Sequence, residues 1–320
     1  MKAIVQERYG SPDGLRLREL EKPAVGDHEV LVRIRAASVN AADWHLLGRI
    51  PNYIGVFIAR KRPSRLRGAD LAGQVETVGT NVTRFKPGDE VFGAATGAFA
   101  EYATAGEDRF AAKPRTLTFE QAAAIPVAGC TALQGFRDYA HLQPGQTVLI
   151  HGAGGGVGTF AVQIAKALGA HVTAVTSTAN VDLVRSIGAD EVIDYTREDF
   201  TKRGQRYDVL FDIGADRSYA DYRRVLNADG TLLLVGAPAG LVAILARLLK
   251  SRKPSSRRTT DGVAYVARIR HQDLVALKEL VEAGKLSPVI DRRYPLSAVA
   301  DALRHVGSRQ TRGKVVVTVP

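Results

Sequence analysis

Continuous apolar strands alternate with amphipathic helical patterns between residues 147 and 236, and this alternation restricts the fold more than any other feature of the 320-residue sequence. Strands that lack polar alternation are buried on both faces, which is typical of a parallel sheet with helices on each side. Helical patterns cover residues 157–168, 180–187 and 217–226. The segment therefore predicts an α/β domain with a doubly wound parallel sheet. The predicted strands are TVLIHG (147–152), HVTAVTS (171–177), EVIDY (191–195), YDVLFDI (207–213) and TLLLVG (231–236).

The first 120 residues have a different, β-rich pattern. Short runs such as EVLVRIRAA and AGQVETVG alternate apolar and polar residues, and turn signals such as Pro87-Gly88-Asp89 separate them. This pattern predicts a small antiparallel barrel or sandwich. The chain becomes helical near Gln121, and it ends in a further strand, GKVVVTV (313–319).

A glycine-rich turn directly follows the strand TVLIHG. Residues 153–158, AGGGVG, have the spacing A-x-G-x-x-G, a variant of the dinucleotide fingerprint, and they open the helical segment TFAVQIAKAL. A small residue at Ala153 permits the tight turn, Gly155 lets a pyrophosphate approach the backbone, and Gly158 lets the helix pack closely on the strand. The helix N-terminus then offers free N–H groups and a partial positive charge to the phosphates. We therefore predict a dinucleotide site that comprises Ala153, Gly155, Gly156, Val157 and Gly158.

The end of the second strand predicts which dinucleotide binds. NAD sites usually carry Asp or Glu there to hold two ribose hydroxyls, and this chain has Thr176, Ser177 and Thr178 instead. A carboxylate would repel the 2′-phosphate of NADPH, whereas hydroxyl groups donate to it. Asn180 follows, where a basic residue would strengthen the interaction. We predict NADPH rather than NADH, with the alternative that Ser177 and Thr178 only cap a helix.

Composition and charge limit the cellular location and the binding partners that we expect for the protein. A single Cys excludes a disulfide framework and a Cys-rich structural zinc site. The start, MKAIVQERYG, has no apolar region of a secretory signal, and the most apolar stretch, 232–246, is shorter than the roughly 20 residues of a membrane span. We therefore expect a cytoplasmic protein without a membrane span. The net charge of +11 is concentrated in segments 60–67 and 247–270, which either bind an anionic partner or form solvated loops.

Motifs along the whole chain resemble those of one enzyme family. They are, in order, VRIRAASVNAADWHLLG, RGADLAGQVETVG, FKPGDEVFG, FAEYATA, AAAIPVAGCTALQGF, HGAGGGVGTFAVQIAKALGA, GADEVIDY and RGKVVVTV. Together they resemble the zinc-free medium-chain dehydrogenases/reductases of the quinone oxidoreductase (zeta-crystallin-like) branch. The resemblance implies a GroES-like β-rich catalytic domain, residues 1–122 completed by 265–320, and a Rossmann cofactor domain, residues 123–264. It also implies a homodimer.

The zinc-dependent relatives of this family hold their catalytic metal with Cys, His and Cys. The matching positions here are Asn40, Ala69 and Val127, with Asp70 where those enzymes carry a Glu. Catalytic zinc needs about three N, S or O side chains. The only thiol, Cys130, lies three residues past the expected ligand. The resemblance therefore implies an enzyme without zinc.

The resemblance also implies roles for single residues. Asn40 and Thr131 match residues beside the nicotinamide, and Val157 matches the side chain that abuts its ring. Tyr195 matches a tyrosine that contacts the 2′-phosphate, with the alternative of an ordinary strand-end aromatic residue. The turn Val235-Gly236-Ala237 matches the backbone that grips the carboxamide.

Three further residues near Asn40 are candidates for general acid or general base catalysis. His45 matches a proton-relay histidine of the zinc enzymes, and it either delivers a proton after hydride transfer or is purely structural. Asp43 is a candidate base, with a cap or buried acceptor as the alternative. Tyr53 is a candidate proton donor to an enolate. Ile50 stands where enoyl reductases of the superfamily carry a tyrosine.

The motifs and the resemblance together predict an NADPH-dependent, zinc-independent oxidoreductase that transfers hydride to a quinone, an enone or a related carbonyl substrate. A zinc-free alcohol dehydrogenase or an enoyl-thioester reductase is the second hypothesis. The third is a non-catalytic NADPH-binding or RNA-binding protein, which the two basic segments motivate. The absence of RNA-binding motifs and of aromatic residues among the basic ones disfavours a nucleic-acid partner.

Overall fold

The computed structural model describes residues 1–8, 10–47, 66–214, 217–235 and 262–320. They form two units, of which unit 1 comprises Met1–Cys130 and Arg268–Pro320, and unit 2 comprises Thr131–Ala267. Of the predicted site residues, Tyr53, Gly236 and Ala237 lie outside the described residues, as do 60–65 and 247–261 of the two basic segments.

The N-terminal part of unit 1 is mainly antiparallel β-structure. Short 3₁₀ turns lie at Pro12–Gly14 and Glu107–Arg109. The described short helices in this part of the chain are α1 (Ala41–His45), α2 (Phe119–Ala123) and α3 (Pro126–Gln134), the last of which includes Cys130, where this part of unit 1 ends. The strands are β1 (Lys2–Gln6), β2 (Leu15–Glu19), β3 (Glu29–Val39), β4 (Asp70–Val78), β5 (Glu90–Ala94), β6 (Tyr102–Gly106) and β7 (Phe110–Ala112).

Unit 2 alternates strands and helices. It begins with a π-helical turn at Gly135–Tyr139 and has 3₁₀ turns at Thr178–Asn180 and Phe200–Lys202. Its helices are α4 (Gly156–Ala167), α5 (Val181–Ser186) and α6 (Tyr219–Val225). Its strands are β8 (Thr147–His151), β9 (His171–Thr176), β10 (Glu191–Asp194), β11 (Tyr207–Asp212), β12 (Leu226–Leu234) and β13 (Val263–Ala264).

The C-terminal segment returns to unit 1. It contains α7 (His271–Glu282), β14 (Ile290–Pro295), a 3₁₀ turn at Leu296–Ala298, α8 (Val299–Gly307) and β15 (Lys314–Thr318). β15 pairs antiparallel with β3, so that Val315 lies opposite Val39. The larger sheet of unit 1 has the order β14-β15-β3-β4-β5-β7, with β6 also paired to β3, and β1 and β2 form a separate pair. Its core includes Val32, Ile34, Leu71, Val317 and Leu303 of α8.

The sheet of unit 2 is parallel throughout and has the strand order β10-β9-β8-β11-β12-β13. Numbered within the unit, this order is 3-2-1-4-5-6, the order of the Rossmann fold. Leu149, Val175, Leu210 and Leu232 contribute to its core. The predicted α/β fold class with a doubly wound parallel sheet is confirmed. The order reverses between β8 and β11, which is the switch point where doubly wound sheets bind their ligands.

No helix in the described ranges combines the length and the apolar character that a membrane crossing requires.

Candidate active site

A tight turn links β8 to α4 in unit 2. Gly152, which follows β8, has a φ of +87°, a conformation that favours glycine. The N–H groups of Gly152 and Ala153 both donate to Val175 O of β9, each at 3.1 Å. α4 then begins at Gly156, with Gly155 as its N-cap. These bonds hold the turn at the carboxyl end of β8, beside the switch point.

The glycines at 155 and 158 differ in their surroundings. A Cβ atom at Gly158 would lie 2.2 Å from Gly152 O and 2.6 Å from Ala153 C, so α4 approaches the turn closely enough to require glycine. A Cβ atom at Gly155 would meet, among the described atoms within 4 Å, only Gly152 O at 3.5 Å, an ordinary contact. The fold therefore leaves space beside Gly155. That space and the free N–H groups in the first turn of α4 fit the pyrophosphate of a dinucleotide.

Hydroxyl and carboxylate groups lie together at the ends of β9 and β10. Thr176 is buried, Ser177 is half-buried and Thr178 is exposed. Thr178 Oγ1 donates to Asp194 Oδ2 at 2.6 Å, and this hydrogen bond lowers the pKa of Asp194. Arg197 Nε lies 3.5 Å from the same oxygen. The hydroxyl that the sequence analysis assigned to the 2′-phosphate thus already donates to an ionised carboxylate, which the motif analysis missed.

Asn180 packs against the glycine-rich turn. Its Nδ2 would lie 2.6 Å from a Cβ atom at Gly154. Its Oδ1 is buried and has no hydrogen-bond partner in the described part of the chain. Buried polar atoms are normally paired, so an unpaired acceptor here fits a ligand that offers a donor, such as a ribose hydroxyl. Tyr195 is 49% exposed, and its N–H donates to Thr176 O at 3.0 Å.

A buried chain of hydrogen bonds joins the ends of β8 and β11. His151 Nδ1 lies 2.8 Å from Asp212 Oδ1, and Tyr222 Oη donates to Asp212 Oδ2. Gly214 N also donates to Asp212 Oδ1, at 3.1 Å, and Val235 N donates to the Asp212 carbonyl at 2.8 Å. His151 and Asp212 are register partners across the switch point. No sequence motif predicts this group, although its histidine immediately precedes the glycine-rich turn.

Unit 1 buries a polar cluster at the ends of β3, β4 and β15. Asp70 Oδ2 accepts from Ser38 Oγ and from Asn40 Nδ2, both at 2.9 Å, and Asp70 Oδ1 accepts from Val127 N at 3.0 Å. Lys314 Nζ donates to Asn40 Oδ1 at 2.5 Å and lies 3.4 Å from Asp70 Oδ2. Asp70 and Lys314 are 0% and 2% exposed, respectively. Burial lowers the pKa of Lys314, and the neighbouring Asp70 carboxylate opposes that effect.

The other predicted catalytic residues lie in different surroundings. Asp43 is buried on α1, and its Oδ2 accepts from Asn40 N at 2.8 Å. Burial raises the pKa of Asp43 to about 7. His45 is exposed at the end of α1, where partial burial and Arg309 lower its pKa. Thr131 belongs to unit 2 and is buried, and its carbonyl accepts from Tyr265 Oη at 2.6 Å.

The positions that match zinc ligands do not offer a zinc donor set. Ala69 has no donor group, Val127 contributes a backbone N–H that Asp70 accepts, and the Asn40 amide oxygen accepts from Lys314. Zinc requires about three N, S or O side-chain ligands, so these residues do not fit it. Within the described ranges, no three or more His, Cys, Asp or Glu side chains are grouped to hold a metal ion. Cys130 is buried.

Comparisons with known proteins agree with this architecture. Residues 26–148 match the alcohol dehydrogenase GroES-like domain family, and residues 187–317 match the zinc-binding dehydrogenase family. The chain is 32% identical to a chloroplastic quinone-oxidoreductase, QR1, of Triphysaria versicolor, over 99% of this chain and 98% of the relative. It is 32% identical to a chloroplastic NADPH-dependent alkenal/one oxidoreductase of Arabidopsis thaliana, over 99% of this chain and 79% of the relative. The solved quinone oxidoreductase from Coxiella burnetii superposes with a TM-score of 0.87 at 29% identity, covering 100% of this chain and 99% of that one.

Proposed function

The chain belongs to the quinone oxidoreductase branch of the medium-chain dehydrogenase/reductase superfamily, and on that basis we propose that it is an NADPH-dependent, zinc-independent reductase of quinones, enones or related carbonyl compounds. The observation that carries the proposal is the glycine-rich turn at the end of β8, which leaves space beside Gly155 at the N-terminus of α4. In the proposed site, the pyrophosphate lies against Ala153, Gly155, Gly156, Val157 and Gly158.

NADPH is proposed over NADH because no carboxylate directly follows β9. Ser177, Thr178, Asn180 and Tyr195 are the proposed contacts of the adenosine ribose and its 2′-phosphate. Asp194 opposes the phosphate, since its charge lies within hydrogen-bond distance of Thr178, and Arg197 offsets part of that charge. We therefore expect NADPH to be preferred by a modest factor and NADH to bind as well.

A bound nicotinamide dinucleotide supplies the hydride, and the protein supplies orientation and electrostatic stabilisation. Asn40 is the proposed donor to the acceptor oxygen on which negative charge develops, because only one of its two Nδ2 hydrogens is needed by Asp70. Thr131 is proposed to lie beside the reacting carbon. His45 and Tyr53 are the proposed sources of the proton that the reduced acceptor takes up, and Asp43 is the proposed base. The backbone of Val235, Gly236 and Ala237 is the proposed contact of the cofactor carboxamide.

The donor set at Asn40, Ala69 and Val127 supports the proposed zinc independence. The expected result is less than stoichiometric zinc in dialysed protein by plasma mass spectrometry, and a turnover rate that prolonged treatment with a chelator does not change. Loss of turnover on chelation, restored by added zinc, would contradict this part of the proposal.

The proposed assembly is a homodimer in the cytoplasm. β13 lies at the edge of the described six-stranded sheet, and Val266, two residues beyond it, is 86% exposed. Exposed strand edges with apolar neighbours are typical pairing surfaces. Light scattering coupled to size exclusion measures the mass directly, and a mass near 34.4 kDa would refute the dimer.

The test of the function is NADPH consumption, followed by absorbance, with an ortho-quinone such as 9,10-phenanthrenequinone. Reactions with NADH and reactions without enzyme are the controls. We expect turnover with both cofactors and a higher kcat/KM with NADPH. Tight NADPH binding without turnover of quinones or enones would favour an enoyl-thioester reductase, which the same assay tests with a crotonyl thioester. RNA retention on filters at physiological salt, without any turnover, would favour the non-catalytic alternative.

A further inference from the structure

Asn40 has an amide whose orientation the surrounding charges determine. Its Oδ1 faces Lys314 Nζ, and its Nδ2 faces Asp70 Oδ2. A charged ammonium group is a donor and never an acceptor, and an ionised carboxylate is an acceptor and never a donor. A flipped amide would set Oδ1 against a carboxylate and Nδ2 against an ammonium group. Both contacts would be repulsive, so the buried ion pair selects one of the two amide orientations.

In that orientation one Nδ2 hydrogen is used by Asp70 and the other has no protein partner in the described part of the chain. Asn40 is 8% exposed, so a buried amide retains one N–H group that is not used by the described protein atoms. The Lys314 contact at the amide oxygen also withdraws electron density toward that oxygen, which strengthens the remaining N–H as a donor.

We propose that Lys314 is a positioning residue that holds the Asn40 amide with an N–H group directed at the acceptor of the reaction. This inference rests on the proposed function, in which Asn40 stabilises the charge that the acceptor gains. Lys314 acts through Asn40 and does not contact the reacting atoms. Lys314 is the first residue of β15, and Asn40 is the N-cap of α1. The C-terminal strand therefore orients the side-chain amide at the start of this helix.

Removing the lysine charge removes one of the two contacts that hold the Asn40 amide. Without the Lys314 ammonium group, no cation faces Asn40 Oδ1, and only the hydrogen bond from Nδ2 to Asp70 Oδ2 remains. The amide can then leave the orientation in which its second N–H group is directed at the acceptor. The acceptor would lose that hydrogen-bond donor.

A double-mutant cycle on Lys314→Met and Asn40→Ala tests the proposal, with the ortho-quinone as acceptor. We expect Lys314→Met to lower kcat by about tenfold or more in the native background, as for other single stabilising donors. In the Asn40→Ala background it should lower kcat by less than about twofold, because the group that it positions is already absent. The KM for NADPH should stay within about twofold in both. Equal factors in the two backgrounds would overturn the proposal.

Lys113→Met is the matched control. Lys113 lies in the same unit with 7% side-chain exposure and pairs at 3.2 Å with Glu90, whose side chain is 53% exposed, so its loss removes another buried lysine charge. Within the described part of the chain, Lys113 forms no hydrogen bond or ion pair with Asn40, and we expect native kcat together with a lower melting temperature. If Lys314→Met does not fold, Lys314→Gln, which also removes the positive charge, replaces it in the same cycle with the same expected factors. Full kcat in Asn40→Ala would overturn the positioning role and the role of Asn40, while the reductase function would stand on its own assay.

A readout that needs no turnover separates this inference from the proposed function. In protein labelled with ¹⁵N at asparagine amides, the Asn40 Nδ2 signals are assigned by their loss in Asn40→Ala. We expect their hydrogens to exchange with water at least about tenfold faster in Lys314→Gln than in the native protein, with no change in Lys113→Met. Unchanged exchange in Lys314→Gln would refute the positioning role, whichever substrate the enzyme takes.

Discussion

Replacing Gly155 with Ala should abolish tight cofactor binding while leaving the fold intact. The turn needs glycine at 158 for close packing of α4, whereas the proposed site needs glycine at 155 for access of the cofactor. The new Cβ atom would meet only Gly152 O, at 3.5 Å, within the described structure. Since Gly155 is the N-cap of α4 and its φ of −84° is ordinary, the change should cost about 0.5–1 kcal/mol of stability. That corresponds to a fall in melting temperature of about 1–4 °C for a unit of this size.

The same methyl group should lower the affinity for the cofactor much more than it lowers the stability of the fold. If the pyrophosphate lies against the backbone at 155, the methyl group occupies the space through which phosphate oxygens reach the N–H groups of α4. Each hydrogen bond to a charged phosphate contributes about 1.5–3 kcal/mol. Losing one or two of them, about 1.5–6 kcal/mol, raises the Kd for NADPH by roughly 10-fold to 10,000-fold, at 1.4 kcal/mol for each factor of ten.

Gly158→Ala is the matched comparison, because its Cβ atom would lie 2.2 Å from Gly152 O. The turn or the helix must move, and overpacking of this kind costs about 1–3 kcal/mol. We therefore expect Gly158→Ala to lose melting temperature and cofactor affinity together, and Gly155→Ala to lose affinity alone. Melting curves without cofactor and fluorescence titrations with NADPH measure the two effects. A Gly155→Ala protein that binds NADPH within about threefold of the native Kd would refute the assignment of the turn.

Three further results are expected. Asp194→Asn should raise NADPH affinity relative to NADH by about three- to tenfold in paired titrations, because it removes a negative charge beside Thr178; an unchanged ratio would mean that the 2′-phosphate lies elsewhere. Asp43 has a pKa of about 7 when folded, so it holds a proton between about pH 4 and 7 that the unfolded chain releases. The free energy of unfolding should therefore fall by up to about 4 kcal/mol as pH rises through that window, and urea titrations should show a flatter profile in Asp43→Asn. Tyr222→Phe should lower the free energy of unfolding by about 1–3 kcal/mol in urea, since Asp212 loses a buried donor; a change below about 0.5 kcal/mol would contradict this role.

Sequence reasoning was most successful where the determining pattern is local. The apolar strands and the turn at 153–158 each occupy a few consecutive residues, and their order predicts the parallel sheet that the structure contains. Side-chain clusters that form when distant segments of the chain pair were not predicted from the sequence. His151 and Asp212 are 61 residues apart, and Lys314 and Asn40 are 274 apart, so no spacing pattern links them.

The ends of β9 and β10 illustrate the same limit at a shorter distance. Counting hydroxyl groups after β9 favours a phosphate ligand, because Thr178 has a proton to donate. The partner of that proton becomes visible only when β10 pairs in parallel with β9 and sets Asp194 opposite Thr176. A residue type indicates which hydrogen bonds a side chain can form, and the sheet register decides which of them it does form.

The polar cluster of unit 1 shows how a buried carboxylate restricts its neighbours. Asp70 is sealed from solvent, and a buried charge requires a countercharge and hydrogen bonds on its free lone pairs. Asn40, Ala69 and Val127 do not form a zinc donor set beside it. Lys314 supplies a countercharge from a strand whose pairing with β3 brings its ammonium group to the Asn40 amide. The cation therefore stabilises the fold at the buried Asp70 carboxyl group, and in the proposed function the Asn40 amide between the two side chains links this pair to the acceptor.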